Sequence, residues 1–309
     1  MKRAVFAAVL AFVIPGKSPG AAPLFEKVSD HCYYLPLPGS GENVAAVVTE
    51  EGILIINPPA EPDLSFAVAA LKRSSAKAVR WVVFTDPRRS AGGRFFAEQG
   101  ALVLASTRLR ALSLRPAESD VMAAPKPGEA SSYAWLTFDR QLHLFPANVE
   151  MRILALGPQA RTGGDVAVIV PAEKVLFVGD LYEPARYPDI DTAAEGSALG
   201  WMDAVKQVID SVPVLKSAMA KPDSKPEGTL EEGIAVVSAR GGVSNLQNMK
   251  DLLEACQKLR RDIAKAIKAG RSCGSFLASP GADPYRGYSN LAPYAAALWE
   301  ALAQEPNPK

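Results

Sequence analysis

The chain has 309 residues, of which 48% are hydrophobic and 22% are charged, a composition typical of a globular protein with a sizeable core. Its 34 basic and 33 acidic residues leave a formal net charge of +1 at pH 7. The overall charge therefore gives no attraction to nucleic acid or to an anionic membrane, and neither is predicted as a partner.

The first 22 residues predict a secretory signal peptide. Lys2 and Arg3 precede an apolar run from Ala4 to Ile14, and small residues follow up to Ala22. The run is about half as long as the ~20 residues that a membrane-spanning helix needs. We therefore expect cleavage near Ala22, export to the periplasm or the extracellular space, and no membrane contact by the mature chain.

Strands and helices alternate in the first half of the mature chain. HCYYLPL and NVAAVVTEEGILIINPP predict strands, with a hairpin turn at Glu50-Glu51-Gly52. A helix over 61–77, a strand over 79–84, a helix through Phe95 and Phe96, a strand over 101–105 and a short helix over 107–114 follow. This alternation is typical of an α/β layered fold.

The second half is richer in strands. WLTFDRQLHLF, VEMRILALG, DVAVIVP and KVLFVGD each predict one, and Ala172-Glu173 predicts a hairpin between the last two. A helix over 196–212, a strand in GIAVVSA and a long helix over 244–269 follow. The proline-rich or polar segments 115–131 and KPDSKPEGTLEE predict exposed loops. Two strand-rich halves, each followed by helices, predict one four-layer domain.

Residues 271–309 predict an extension that ends in a helix and is rich in aromatic residues. This segment is either a docking surface for a partner or a second copy, or a helix that packs on the parent domain, and we expect packing. The aromatic side chains are Tyr285, Tyr288, Tyr294 and Trp299.

The few cysteines and histidines predict neither a disulfide scaffold nor a histidine-based site. Cys32, Cys256 and Cys273 are too few for a disulfide scaffold, although a pair between Cys256 and Cys273 is an alternative to a buried Cys256 thiol. The two histidines, His31 and His143, lie in predicted strands without a partner motif, so we expect structural roles for both.

Four segments in this order resemble the metallo-β-lactamase superfamily. They are ENVAAVVTEEGILIINPP, AVRWVVFTDPRRSAGGRFFAEQGALVLAS, ARTGGDVAVIVPAEKVLFVGDL and VVSARGG followed by the long helix. The resemblance covers about residues 25–270, and we assign 23–270 to the domain. It implies an α/β fold, namely a four-layer αββα sandwich, with an active site at one edge where the loops after several strands meet.

The resemblance also implies a zinc site, but every histidine of that site is replaced here. The family has His-x-His-x-Asp-His where this chain has Thr85 to Ser90, a histidine before Thr-x-Gly-Asp where this chain reads ARTGGD, and Gly-His-Gly where this chain has Ala239-Arg240-Gly241. Asp180 is the one ligand-type residue at a matching position. Arginine has no lone pair with which to bind a metal, so we predict no metal site and no cofactor.

Arginines lie at or beside each of the places where the histidines would be, and they face two aspartates. In one interpretation the charges form a closed cluster of salt bridges, because buried charges persist only when they are paired. In the other, the guanidinium groups bind a carboxylate, phosphate or sulfate group. The residues concerned are Arg88, Arg89, Arg161, Arg240, Asp86 and Asp180.

Catalysis without metal has weak candidates in Asp86, Ser90 and Asp180, because a nucleophilic hydroxyl needs a base that the motifs do not supply. We therefore predict an exported, non-catalytic binding or accessory protein with an arginine-lined pocket for a small anionic group. The alternative is a hydrolase of the superfamily that acts without zinc or through metal ligands that the motifs do not reveal.

Overall fold

The structure is a computed structural model that describes residues 24–60, 62–87, 92–114, 134, 136–212 and 233–304. The predicted signal peptide, the predicted loop at 115–131 and the KPDSKPEGTLEE segment lie outside these residues. Within the described part of the chain, two β-sheets pack face to face and helices cover their outer surfaces. In that part, a helix long and apolar enough to cross a bilayer is not found.

Among the described residues, the first sheet has seven strands that follow one another in chain order. The first four pair in antiparallel fashion, and the last three add in parallel. The predicted hairpin at Glu50-Glu51-Gly52 is confirmed, because Thr49 pairs with Gly52 across it. The strands are β1 (Glu26–Lys27), β2 (Cys32–Pro36), β3 (Asn43–Thr49), β4 (Gly52–Ile56), β5 (Val79–Val83), β6 (Leu102–Ser106) and β7 (Leu136–Phe138).

Three helices cover the outer face of this sheet. Leu64, Ala67 and Leu71, spaced three and four residues apart, form a buried stripe on the first of them. The Ser106 side chain accepts a hydrogen bond from the backbone N–H of Leu109 and so caps the third. The helices are α1 (Asp63–Ser74), α2 (Gly93–Glu98) and α3 (Thr107–Ser113).

Among the described residues, the second sheet has six strands, and its central strands are buried on both faces. Val168 and Val170 point into the core between the sheets, whereas Ala167 and Ile169 pack with the helices behind. In spatial order the strands run β13, β12, β11, β10, β9 and β8. They are β8 (Gln141–Leu144), β9 (Met151–Ala155), β10 (Val166–Val170), β11 (Val175–Gly179), β12 (Ala235–Ser238) and β13 (Ser244–Asn245).

The prediction of a single strand in WLTFDRQLHLF is wrong. The segment splits at Asp139 and Arg140, both exposed, into β7 and β8. β7 pairs with β6 in the first sheet, whereas β8 pairs with β9 in the second. Three consecutive polar residues, Asp139, Arg140 and Gln141, lie at the split, but this local pattern alone did not reveal that the two halves pair with different sheets.

The second layer of helices covers the outer face of the second sheet. The long helix buries Leu252, Cys256 and Leu259 there, and Tyr294 and Leu298 of the last helix join the same apolar cluster. Cys32, Cys256 and Cys273 are free thiols. The order helix, sheet, sheet, helix is the predicted four-layer αββα sandwich. These helices are α4 (Ala198–Ser211), α5 (Leu246–Lys268), α6 (Cys273–Leu277) and α7 (Leu291–Gln304).

Candidate functional site: an arginine-lined cavity at the sheet edge

The ends of β5, β11 and β12 meet at one edge of the two sheets. Thr85 follows β5, and its carbonyl accepts a hydrogen bond from the N–H of Val166 in the second sheet at 3.2 Å. Ala239, just after β12, donates to the carbonyl of Gly179 at the end of β11 at 2.8 Å. These backbone contacts bring the residues that follow the three strands, including Asp86, into one region.

Thr85 has a structural role at this edge. Its hydroxyl donates to Asn57 Oδ1 at 2.9 Å, and its backbone N–H donates to the same oxygen at 2.8 Å. Gly179 adopts a φ of 57°, and a Cβ on it would overlap the Thr85 hydroxyl, so only glycine fits there. Because the hydroxyl is bonded to an amide oxygen, it has no base to activate it as a nucleophile.

Arg161 and Asp86 form a buried ion pair between the two sheets. The side chains are 4% and 1% exposed, and Arg161 Nη1 donates to Asp86 Oδ2. Burial opposes the charge on the guanidinium, but Asp86 and then Asp180 outweigh it, so the pKa of Arg161 lies above its ordinary value. The segment before α4 fixes the Arg161 backbone, since the N–H of Asp191 donates to its carbonyl at 3.0 Å. Arg161 is therefore a fixed cation.

Arg240 bridges two carboxylates nearer the surface. Its Nη1 lies 3.1 Å from Asp180 Oδ1, and its Nη2 lies 2.7 Å from Glu42 Oε1. Asn43, next to Glu42, ties the first sheet to this loop by donating from Nδ2 to the carbonyl of Gly241 at 2.7 Å. The Asp180 side chain is 6% exposed, whereas that of Arg240 is 43% exposed, so solvent and solutes reach the guanidinium.

Asp165 is a buried acid beside the Arg161 pair. Its Oδ2 accepts a hydrogen bond from the N–H of Thr162 at 2.5 Å, whereas its Oδ1 is buried without a hydrogen-bond partner among the described residues. Burial, and then the charge of Asp86, raise the pKa of Asp165 to about 8. The Asp165 carboxyl is therefore mostly protonated at neutral pH.

Arg161 and Arg240 line a cavity of about 360 Å³ that the loop after β11 closes on one side. The charged residues of this loop were not predicted from the sequence, although they follow Asp180 within nine positions in the segment YEPARYPD. Their position directly after the candidate site residue Asp180 was the signal that could have predicted them as part of the site. The cavity is lined by Arg161, Gly179, Asp180, Tyr182, Glu183, Arg186, Tyr187, Pro188, Asp189 and Arg240.

The C-terminal segment holds this loop in place from outside. The backbone N–H of Tyr187 donates to the carbonyl of Ser289 at 2.9 Å, and the N–H of Ser289 donates to the carbonyl of Ala185 at 3.0 Å. Asn290 Nδ2 reaches the carbonyl of Tyr187 at 3.2 Å, and the Tyr288 ring packs edge-on against Tyr187 at 5.4 Å between centroids. The cavity wall is thus shared between the sandwich and the extension.

Of the site residues suggested by the sequence, Asp86, Arg161, Asp180 and Arg240 meet at this edge. Arg88, Arg89 and Ser90 lie outside the described residues. The two histidines lie elsewhere. His31 contacts Glu173 at 2.7 Å and His143 contacts Glu150 at 3.3 Å, and neither histidine lines the cavity.

The described side chains at this edge do not fit zinc. Arg161 and Arg240, at the places that the resemblance assigns to metal-binding histidines, supply N–H donors and positive charge but no lone pair. Among the described residues, no group of three or more histidine, cysteine, aspartate or glutamate side chains is arranged to hold a metal ion. The ion pairs of Arg161 with Asp86 and of Arg240 with Asp180 instead supply the positive charge beside these aspartates.

No family model matches the sequence, and no curated protein matches it. Solved structures do match. A metallo-β-lactamase from Pontibacter korlensis shares 17% identity at a TM-score of 0.56, over 76% of this chain and 99% of its own. The chain has the metallo-β-lactamase fold.

Two further metallo-β-lactamase structures lead to the same conclusion. DIM-1 shares 15% identity at a TM-score of 0.56, over 76% of this chain and 97% of its own. FIM-1 from Pseudomonas aeruginosa, solved in a mono-zinc form, shares 15% identity at a TM-score of 0.54, over 76% of this chain and 95% of its own. At these identities the likeness shows the fold, and function has to be argued from the site.

Proposed function

We propose that this protein is an exported, non-catalytic binding or accessory protein of the metallo-β-lactamase fold, which holds a small ligand by an anionic group in the arginine-lined cavity. The observation that carries the proposal is the replacement of metal ligands by arginines that are held in place by carboxylates. Arg161 is fixed by Asp86, and Arg240 by Asp180 and Glu42.

Both arginines keep hydrogen-bonding capacity for a ligand. A guanidinium has five N–H donors in a planar fork that matches a carboxylate, phosphate or sulfate group. Among the described residues, Asp86 is the sole hydrogen-bond acceptor of the Arg161 side chain, and Arg240 donates through Nη1 and Nη2 to one acceptor each. A ligand that enters the cavity therefore meets preorganised donors, which lowers the entropic cost of binding.

The same contacts argue against catalysis. Asp86 is bound to Arg161, and the Thr85 hydroxyl is bound to Asn57. Asp180 is bound to Arg240. A hydrolase needs an activated nucleophile or water next to a free base, and these pairings supply neither. The pairings of Asp86, Thr85 and Asp180 therefore favour binding over catalysis.

Thermal unfolding with sodium propionate, phosphate and sulfate tests the proposal. We expect at least one of these salts to raise the Tm of the exported protein relative to sodium chloride of equal ionic strength. Arg240→Gln should weaken the binding of that anion about tenfold, because it removes the solvent-accessible guanidinium group. Arg94→Gln is the matched control, because Arg94 is similarly exposed and paired with Glu98 but does not line the cavity.

A Tm that none of the three salts raises would overturn the proposed binding site, and so would an equal response in Arg240→Gln. The enzymatic alternative is tested with lactam, thioester and phosphoester substrates. Turnover that disappears in Asp180→Ala would replace the binding function with a hydrolytic one.

A further inference from the structure

We infer that the ligand of the cavity is a zwitterion of about the size of an amino acid, in which Asp189 binds the cationic group while the arginines bind the anionic one. This inference rests on the proposed function, because it adds a cationic group to a ligand whose anionic group is already assigned to this cavity. Three features of the lining lead to it.

The first is the balance of charge. The lining has three arginines, Arg161, Arg186 and Arg240, and three carboxylates, Asp180, Glu183 and Asp189, and the partners of Arg161 and Arg240 beside the lining, Asp86 and Glu42, add two more negative charges. A cavity built for a simple anion would carry an excess of positive charge, since like charges repel the ligand as strongly as opposite charges attract it. A ligand with both signs of charge matches a lining with both signs.

The second feature is the pairing of these groups. Arg240 is paired with Asp180 at 3.1 Å, and Arg186 with Glu183 at 3.4 Å. Asp189 differs, because within the described residues its carboxylate has no hydrogen bond and no ion pair. It lies at the exposed end of the lining, two residues beyond the buried Tyr187. An ammonium group of a ligand would therefore find an available acceptor in Asp189.

The third feature is proximity. The charge of Asp189 acts on the Arg161 guanidinium, so the carboxylate and the buried cation are electrostatic neighbours across one small cavity. A volume of about 360 Å³ is at the lower end of the range for small-molecule sites. A molecule that contacts both Arg161 and Asp189 within this volume is therefore a small one.

The test compares ligands of equal length that differ in charge. Glycine, 3-aminopropanoate and 4-aminobutanoate are titrated by calorimetry or NMR against acetate, propanoate and butanoate, with butylammonium as the cation alone. In the exported protein at pH 7 we expect at least one amino acid to bind about tenfold tighter than the carboxylate of the same length. The relative affinities of the three amino acids show which distance between the ammonium and carboxylate groups fits the cavity.

Asp189→Asn identifies the residue responsible. The change should remove the advantage of the amino acid and leave the carboxylate with equal or higher affinity. Asp203→Asn is the matched control, because Asp203 is also exposed and without a partner among the described residues but lies on α4 and does not line the cavity. It should leave every affinity unchanged.

The outcomes separate the two proposals. If carboxylates bind and no amino acid binds better, or if Asp189→Asn keeps the advantage, the zwitterion assignment is wrong while the anion site stands. If no carboxylate and no amino acid binds, the proposed function fails and the assignment fails with it. If butylammonium binds tightest of all, the cavity is a cation site and both proposals are wrong.

Discussion

The buried Asp165 should lower the free energy of unfolding as the pH rises, and replacing it by asparagine should remove this loss. The folded state holds this carboxyl at a pKa of about 8, against an ordinary value of 3.8. Below pH 3.8 the carboxyl is protonated in both states, and its ionisation costs nothing. Above that pH the unfolded chain releases the proton while the folded protein retains it, so stability falls until the pH passes the folded pKa.

The magnitude follows from the width of that window. Each pH unit between the two pKa values lowers the free energy of unfolding by about 1.4 kcal/mol. Between pH 5 and pH 7 the wild-type protein should therefore lose about 2–3 kcal/mol from this group, whereas Asp165→Asn loses none of it. The amide oxygen of asparagine can still accept the hydrogen bond from the N–H of Thr162.

Urea unfolding at pH 5, 6 and 7 measures the effect. The quantity of interest is the difference in unfolding free energy between Asp165→Asn and wild type, because other titrating groups cancel in it. The difference should move in favour of the variant by about 2–3 kcal/mol between pH 5 and pH 7, and any pH-independent cost of the asparagine side chain cancels in this comparison. A difference that stays within about 0.5 kcal/mol across this range, or that moves the other way, would refute the assignment of a protonated Asp165.

Three more predictions concern the ion pair, the metal and the cavity wall. Arg161→Met should lower the free energy of unfolding by about 3–5 kcal/mol in urea because Asp86 loses its buried partner, and adding Asp86→Leu should recover most of that loss; a single variant as stable as wild type would contradict the buried pair. Protein purified without chelator should contain far less than one zinc per chain by elemental analysis, and one or two tightly bound equivalents would contradict the ligand argument. Asn290→Ala should cost about 1 kcal/mol and weaken propionate binding, since it releases the carbonyl of Tyr187 in the cavity wall; unchanged affinity would show that the wall does not need this support.

The order of the sheets and helices was predictable because local pattern determines it. The helix predicted over 61–77 and the strand over 79–84 correspond to α1 and β5, since periodic apolar residues form the buried face of each. The β7–β8 segment was not predictable in the same way. Its split depends on which strand each half pairs with, and that is decided by contacts distant in sequence.

The candidate site was predictable only in part. The placement of Asp86 and Asp180 among arginines followed from the motifs, because residues after strand ends meet at one edge of the sandwich. Glu42 and Asp189 were missed, since one precedes β3 and the other lies in the connection to α4, and neither belongs to a motif. The number of acidic residues near the arginines is therefore larger than the two expected from the sequence.

The contact of Ser289 and Asn290 with the cavity loop has a consequence for biosynthesis. The chain is synthesised from its N-terminal end, and the described strands of both sheets are complete by β13. The residues that fasten the loop around Tyr187 are made about a hundred positions later than the loop itself. A polypeptide that stops after α5 would therefore contain the described strands of both sheets but leave the loop around Tyr187 without the backbone and side-chain contacts of Ser289 and Asn290, so this wall of the cavity is completed only when the last part of the chain is made.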